Sequence, residues 1–564
     1  MHFIRRRNAA NQPRALSVHW SRREFLAATG TAAAITALGQ QSFDGSWNSG
    51  DLVHLIPAAN HEQFAIKCSF RKPRTAPKLL IGDRSITAKM TDTEGRYFSF
   101  WVDKLYSNYQ YTLQLIDNEH KLLCDAWNLS TFPSPDAIPS RARLLVFTCA
   151  GGHPNYNFPA EQQPFLPLEI RRRLIARGLS FKPNALIAIG DHLYWDQRTQ
   201  LDAQNDERAA RALAWYDSVG HLDRQKRAKG TSNEAVIKRA VEPQIANLYG
   251  VMLRSTPSYF VSDDHDYFEN DEATNRFVTL PPQQYQLSFA RFVRELFLPE
   301  FLPDVARPSL MSGSGAGDRD RGISESFGTF RYGNLAEALI YDCARFLSLK
   351  GAVAGLVPPE VEHWLAQRTQ NQKIRHLFHV PSHPFGWTAG KWREWYPDVA
   401  DTGDDETAVA QIRSGGTSRF KLTTKRQKFM WQSGWFEQHQ RLLRMLGGQA
   451  SREGMVLSGD LHATGHARIL SSADVTLDSP VHAILTGPIG TRRGWPSASR
   501  GTPPLLATGI NADTPAPVSE RNGFTLIDLT QDEATIQLFA WRNEPVEAID
   551  TLEPYHSYTI ERRS

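Results

Sequence analysis

Polar and apolar residues alternate in short runs between about His54 and Phe132, and beyond that the apolar residues gather into continuous blocks. In the first region Gln63–Phe70, Arg96–Val102 and Tyr109–Ile116 have a period of two, the pattern of strands with one buried face. Ile81-Gly82-Asp83, Glu94-Gly95 and Asp117-Asn118 supply turns between them. Short strands with no helical period predict a small all-β sandwich of immunoglobulin or fibronectin type over 50–133, with Tyr109 as its tyrosine corner. Thr131–Pro139, which holds three prolines, reads as the linker that follows.

From 140 to 564 the pattern predicts an α/β domain. Arg143–Thr148 and Asn184–Gly190 are apolar throughout, as strands buried on both faces are. Between them Leu168–Arg177 places Leu168, Ile170, Leu174 and Ile175 among arginines and reads as a helix, so the three form a βαβ unit in a parallel or mixed sheet. Pro257–Val261, Leu335–Tyr341, His376–Val380, Gly454–Ser458 and Val481–Leu485 are further buried strands. Phe429–Leu446 reads as a long amphipathic helix, and Phe524–Leu529 with Ala534–Phe539 as a closing hairpin. Asp202–Arg239 is charged and helical in composition and reads as an insertion over the site. Pro308–Gly322 reads as a loop and Asp398–Ser418 as a further lid.

Composition narrows the classes. With 64 basic and 60 acidic residues the net charge is +4, which argues against dedicated nucleic-acid binding. Four cysteines without a CxxC spacing exclude a disulfide scaffold and a zinc ribbon, and leave a Cys68–Cys124 pair open. At the N-terminus Arg5-Arg6-Arg7 and Arg14 precede Ser21-Arg22-Arg23-Glu24-Phe25-Leu26 and a weakly apolar stretch, Ala27–Leu38. That is the pattern of a twin-arginine export signal over 1–45, with a Sec signal or an uncleaved anchor as alternatives. The apolar stretch is too short to span a bilayer, so no stable transmembrane anchor is expected. The predicted partner is the twin-arginine translocation machinery and the predicted location periplasmic or secreted. Such cargo crosses already folded, which suits a protein that takes up its cofactor in the cytoplasm.

The candidate chemistry lies where the strands end. Ser262–Asp271 holds five acidic residues, His265 and Asn270 directly after a buried strand, a natural metal site. Other strands end in Thr148-Cys149, Gly190-Asp191-His192-Leu193-Tyr194, Pro381-Ser382-His383 and Ser458-Gly459-Asp460-Leu461-His462. Ligands in open α/β folds bind beyond the carboxyl ends of strands, and a two-metal site draws its ligands from several of them.

This order of motifs resembles the calcineurin-like metallophosphoesterases, and within them the PhoD-like alkaline phosphatases and phosphodiesterases. The resemblance rests on Phe147-Thr148-Cys149, on Gly190-Asp191 with Tyr194, on Asp263-Asp264-His265-Asp266 with Asn270-Asp271, and on Ser458-Gly459-Asp460 with His462. It implies an αββα sandwich with mixed sheets behind the β domain, and hydrolysis of phosphate monoesters or diesters by a metal-held hydroxide. Cys149, Asp191, Tyr194, Asp264, Asn270, His383, Asp460 and His462 would be metal ligands, with Asp191 as the bridge and His265 as catalytic partner. Arg492 and Arg493 would clamp the phosphate. The implied metals are two or more, iron plus calcium, and His383 adds zinc or manganese as alternatives because it belongs to the wider superfamily's pattern. Phe268-Glu269 stand where that branch often has Gly-Pro. Asp263, Asp266 and Glu269 are expected only to shape the turn, and His153 and His192 to support the site or face the substrate. A degenerate fold that binds an envelope phosphate polymer without cleaving it, and a phospholipase or nucleotide diesterase, are the competing readings.

Overall fold

The computed structural model describes residues 47–154, 163–195, 214–268, 282, 284–308, 311, 322–346, 355–388, 433–492, 497, 503–507 and 509–563. The chain divides into Met1–Trp47 and a compact unit, Asn48–Ser564. The export signal, Asn270, Arg493, Asp398–Ser418 and most of Pro308–Gly322 lie outside the described residues.

The β region has eight strands: β1 (Leu52–Ala59), β2 (Phe64–Phe70), β3 (Lys78–Ile81), β4 (Arg84–Thr87), β5 (Lys89–Met90), β6 (Tyr97–Val102), β7 (Gln110–Ile116) and β8 (Trp127–Ser130). They form two four-stranded antiparallel sheets, ordered β1-β2-β6-β5 and β4-β3-β7-β8. The alternation of Phe64, Ile66 and Cys68 against Phe98 and Phe100 on β6 builds their core. Tyr109 is 52% exposed, so it is not the tyrosine corner. That geometry belongs to Tyr111, whose hydroxyl accepts the Tyr106 backbone N–H at 2.7 Å, five residues upstream. Cys68 and Cys124 are both buried free thiols.

The remaining elements are β9 (Arg141–Thr148), α1 (Leu168–Ser180), β10 (Ala185–Ile189), α2 (Ser232–Val241), α3 (Ala246–Tyr249), β11 (Ser258–Val261), α4 (Gln284–Phe297), β12 (Phe327–Tyr332), β13 (Ala336–Tyr341), α5 (Pro359–Thr369), β14 (His376–Pro381), β15 (Trp387–Thr388), α6 (Ser433–Gly447), β16 (Gly454–Ser458), β17 (Thr464–Ser472), β18 (Val475–Leu485), β19 (Leu505–Leu506), β20 (Ile510–Ser519), β21 (Asn522–Thr530), β22 (Glu533–Trp541) and β23 (His556–Glu561). Two mixed sheets dominate, ordered β11-β10-β9-β21-β22-β23 and β12-β13-β14-β16-β18-β17-β20. In the first, β9, β10 and β11 run parallel; in the second, β13, β14, β16 and β18 do. These are the chain's continuous apolar runs, covered on both faces as parallel strands require. Thr486, just past β18, donates to the Val146 carbonyl on β9, and Thr148 bridges to Pro488, so the two sheets meet near the ends of these strands.

Helix α1 lies close on the first sheet because Gly178 faces Leu145, where a Cβ would come within 2.8 Å of the leucine methyl. Helices α5 and α6 cover the second sheet and are tied together by Arg441 on Glu362. The segment 214–239, read as part of an insertion, packs into the core. Trp215, Tyr216, Val219 and Ile237 are buried in the same core as α1, and Trp215 meets the His153 ring edge-on at 5.4 Å. The β region is held to this body by a buried charge cluster. Lys238 on α2 contacts Asp92 at 2.8 Å, Glu234 at 2.9 Å and Glu94 at 3.1 Å. A charge that deep is tolerated only with its partners in place.

A candidate metal centre at the strand ends

The site forms where β9, β10, β11, β14 and β16 deliver their carboxyl ends. Each chain turns sharply there, and four candidate ligands sit in the left-handed region: Cys149 at φ 48°, Asp191 at 53°, Asp460 at 68° and His462 at 49°. Non-glycine residues hold such angles only when their surroundings force them to, and they concentrate at functional sites. Here the turns are laced to one another. Cys149 N–H donates to the Gly190 carbonyl at 3.2 Å, Gly151 N–H to Asp191 at 3.0 Å and Gly190 N–H to Val261 at 2.8 Å. The Thr148 hydroxyl donates to the Ile189 carbonyl and accepts the Asp460 N–H.

Gly459 is the tightest point. A Cβ there would lie 2.1 Å from Thr148 Oγ1 and 2.5 Å from Thr148 Cβ. Gly459→Ala is therefore expected to destabilise by about 1–3 kcal/mol, the usual cost of overpacking, and to swing Asp460 away from the cluster. Thermal unfolding and metal content measured on the same sample check both effects.

Three groups of ligand atoms converge: Cys149, Asp191 and His462; Asp191, Asp264 and His265; and Asp263, Asp264 and Asp460. Within each, all lie within 4.8 Å of one another. Asp191 and Asp264 each belong to two groups and so link the three. Asp191 Oδ2 accepts from the Cys149 thiol at 3.2 Å and from the Tyr194 hydroxyl at 3.1 Å. The same hydroxyl lies 3.1 Å from His462 Nε2. His383 is fully buried, with Nδ1 2.5 Å from Asp263 Oδ1. His265 stands at the rim, its side chain 13% exposed, with Nε2 4.0 Å from Asp264 Oδ2 and its ring 4.3 Å from that of Tyr194.

The electrostatics are those of a cation site. Burial, then the neighbouring Asp263 and Asp460, push the Asp191 carboxyl well above its ordinary range. Burial pushes Asp264 up as well, with Asp191, Asp263 and Asp460 adding to it against the opposing pull of His265. The Cys149 thiol rises through burial and the nearby Asp191 and Asp460, and the Tyr194 phenol through burial, Asp191 and Cys149. Burial drives His383 down to about 4 and His462 down to about 3, so both imidazoles are neutral and able to ligate. Among the described residues neither Asp191 nor Asp264 pairs with a Lys or Arg, and each has a buried Oδ1 with no hydrogen-bond partner. Carboxylates packed together without counter-cations and with orphaned oxygens fit bound metal ions, whose charge would reverse the upward shifts of the carboxyl, thiol and phenol groups and keep the imidazoles neutral.

The surroundings sort the remaining sequence candidates. Asp263, expected only to shape the turn, converges with Asp264 and Asp460. Asp266 does shape it, accepting the backbone N–H groups of His192, Leu193 and Asp263 at 3.0 to 3.2 Å. His192 is buried with Nε2 2.9 Å from the Val261 carbonyl, a bracing role. Arg492, the candidate phosphate clamp, is exposed. Two supporting residues gave no sequence signal. The Gln244 carboxamide accepts the N–H groups of Gly152 and Tyr194 at 2.8 Å each, holding two ligand loops in register. Arg542 spans the carbonyls of Glu520, Thr491 and Arg492 and contributes to lowering the His462 pKa.

Two mixed sheets with helices outside, and ligand-bearing loops at one end, make a fold that recurs in solved phosphatase structures. Among solved structures, that of PhoD matches with a TM-score of 0.54 over 91% of this chain and 92% of its own, at 13% identity. A purple acid phosphatase from yellow lupin (Lupinus luteus) seeds matches with a TM-score of 0.51 over 92% of this chain and 75% of its own, at 12% identity. No protein-family profile and no curated protein sequence matches the chain.

Proposed function

We propose that this chain is a metal-dependent phosphoric ester hydrolase, acting on monoesters or diesters after export by the twin-arginine route. The observation that carries the reading is the sharing of Asp191 and Asp264 among three convergent ligand groups at the carboxyl ends of parallel strands in this fold. The Ser21-Arg22-Arg23-Glu24-Phe25-Leu26 signal supports export, and among the described residues no helix is long and apolar enough to cross a membrane.

Cys149 and Tyr194, both in contact with Asp191 Oδ2, would offer thiolate and phenolate to a trivalent iron. Asp264, Asp263 and Asp460 offer hard oxygens suited to calcium or another divalent ion. Bound there, such ions would supply Lewis-acid chemistry toward a phosphoryl group and its attacking water. The protein's own contribution is alignment. The Tyr194 oxygen lies 3.1 Å from both Asp191 Oδ2 and His462 Nε2, which holds the three side chains in mutual register, while His265 stands at the open rim as the candidate proton donor to a leaving oxygen.

Protein purified without a polyhistidine tag is expected to contain two or more metals per chain and to hydrolyse members of a phosphomonoester and phosphodiester panel. Absence of both, whichever metal is added back, would overturn the reading. His265→Asn is expected to lower kcat by about 10²- to 10⁴-fold on alkyl esters, the usual worth of a general acid. It should cost far less on p-nitrophenyl phosphate, whose leaving group needs no proton. Equal losses on both would assign His265 a different role.

A further inference from the structure

A second cavity, of about 740 Å³, opens beside helix α4, and none of the ligand groups lines it. Its walls carry four cations, Arg227, Lys229, Arg291 and Arg345, against one carboxylate, Glu295. Arg291 and Arg345 share the buried Glu325 behind the wall, at 2.8 and 2.9 Å, and Lys229 reaches Glu295 at 3.3 Å. Among the described residues two of the four positive charges therefore have no carboxylate of their own. One belongs to Arg227, which is exposed and makes no ion pair among the described residues. The other lies with Arg345, which lines the cleft and whose side-chain hydrogen bonds among the described residues, to Glu325 and Ser326, both run through Nη1.

We propose that this cleft binds a multiply charged anion, bearing phosphate, sulfate or similar groups, through Arg227, Lys229 and Arg345. A concave site with excess positive charge concentrates such ligands, and guanidinium forks match their oxygens. Arg345 also ties the cleft to the metal centre. Its backbone N–H donates to Asp342 at 2.9 Å, and Asp342 accepts the Tyr267 hydroxyl at 2.5 Å, on the same short turn as Asp264 and His265. The anion has two possible sources, the remote charged group of a substrate or a free effector.

The test compares the wild-type protein with the Arg227→Glu/Lys229→Glu double variant, using inositol hexasulfate, which a phosphatase does not hydrolyse, as the probe. Titration calorimetry is expected to show salt-sensitive binding by the wild type, weakened at least about tenfold in the variant. Both residues are partly or fully exposed and lie outside the metal centre, so turnover of p-nitrophenyl phosphate without the probe is expected to stay at the wild-type level. If the cleft takes the substrate's remote anion, the variant raises KM for fructose 1,6-bisphosphate but not for glucose 6-phosphate. If it takes an effector, the probe changes kcat for p-nitrophenyl phosphate in the wild type and not in the variant. Loss of binding sustains the proposal in either case. Equal affinity in the two proteins, with both folded by circular dichroism, overturns it, and the binding arm reads out whether or not the enzyme turns over.

Discussion

Asp191→Asn is expected to abolish phosphoester turnover, to empty the metal centre, and to make the metal-free protein more stable than the metal-free wild type. The first two effects follow from position. Asp191 belongs to two ligand groups, with Oδ2 turned to Cys149 and Tyr194 and Oδ1 buried without a partner. Losing an outer partner of a ligand typically costs about 10- to 100-fold, so losing the shared carboxylate should cost on the order of 1,000-fold or more. The third effect separates a metal site from a structural hydrogen-bond network. Asp191 is completely buried and is pushed well above its ordinary pKa by that burial and by Asp263, Asp460 and Asp266. A group whose folded pKa is raised contributes its full stability below the unfolded value and loses it as pH rises through the folded value. An asparagine of the same shape escapes that loss. Under chelation, the variant's melting temperature should match the wild type's near pH 4 and exceed it increasingly toward pH 8. A variant less stable than the chelated wild type at pH 8 would show that Asp191 holds the fold through its hydrogen bonds rather than being strained by its charge.

The residues that made this centre legible in the sequence were the strand-end motifs, because the strands themselves were. Buried parallel strands are continuous apolar runs, and Gly454–Ser458 forms the strand the pattern predicts, residue for residue. Each run stops where Cys149, Asp191, Asp264, His383 or Asp460 begins. What escaped had no such periodicity. Strand β17 starts two residues past His462 with Thr464-Gly465-His466, a polar opening that hides its apolar half. Strand β20 is an exposed edge strand containing Pro515 and Pro517, tolerable only at an edge and unreadable as a strand from pattern. Trp215 and Tyr216 join the core from within a charged segment, so the composition of 214–239 hides how deeply it packs. Gln244 and Asp263 act through contacts with residues tens of positions away, and only the closed fold reveals them. Tyr109 and Tyr111 differ by one strand period, so pattern alone could not choose the corner residue between them.

Metal removal should change the shape of the stability–pH curve as well as its height. In the stripped protein Asp191, Asp263 and Asp264 have raised folded pKa values through burial and mutual repulsion, and burial raises Asp266 to about 7. Their contribution is complete below about pH 4, the ordinary carboxyl value, and is lost as pH climbs through the folded values. His383 and His462 act in the opposite direction. Their folded pKa values are depressed to about 4 and about 3, so their contribution is complete above about pH 6.5, the ordinary imidazole value, and is lost as pH falls toward those values. The two limbs leave the stripped protein most stable in a narrow band of mildly acidic pH. Bound cations favour the charged carboxylates and compete with protons, so loading removes the alkaline loss and steepens the acid one. A metal held with free concentration a thousand times its Kd adds about 4 kcal/mol. Thermal melts from pH 4 to 9, with and without chelator, should therefore nearly converge at the acid end and separate progressively above neutrality. Two curves that stay parallel over the whole range would mean that the cluster of aspartates is not where the metal binds.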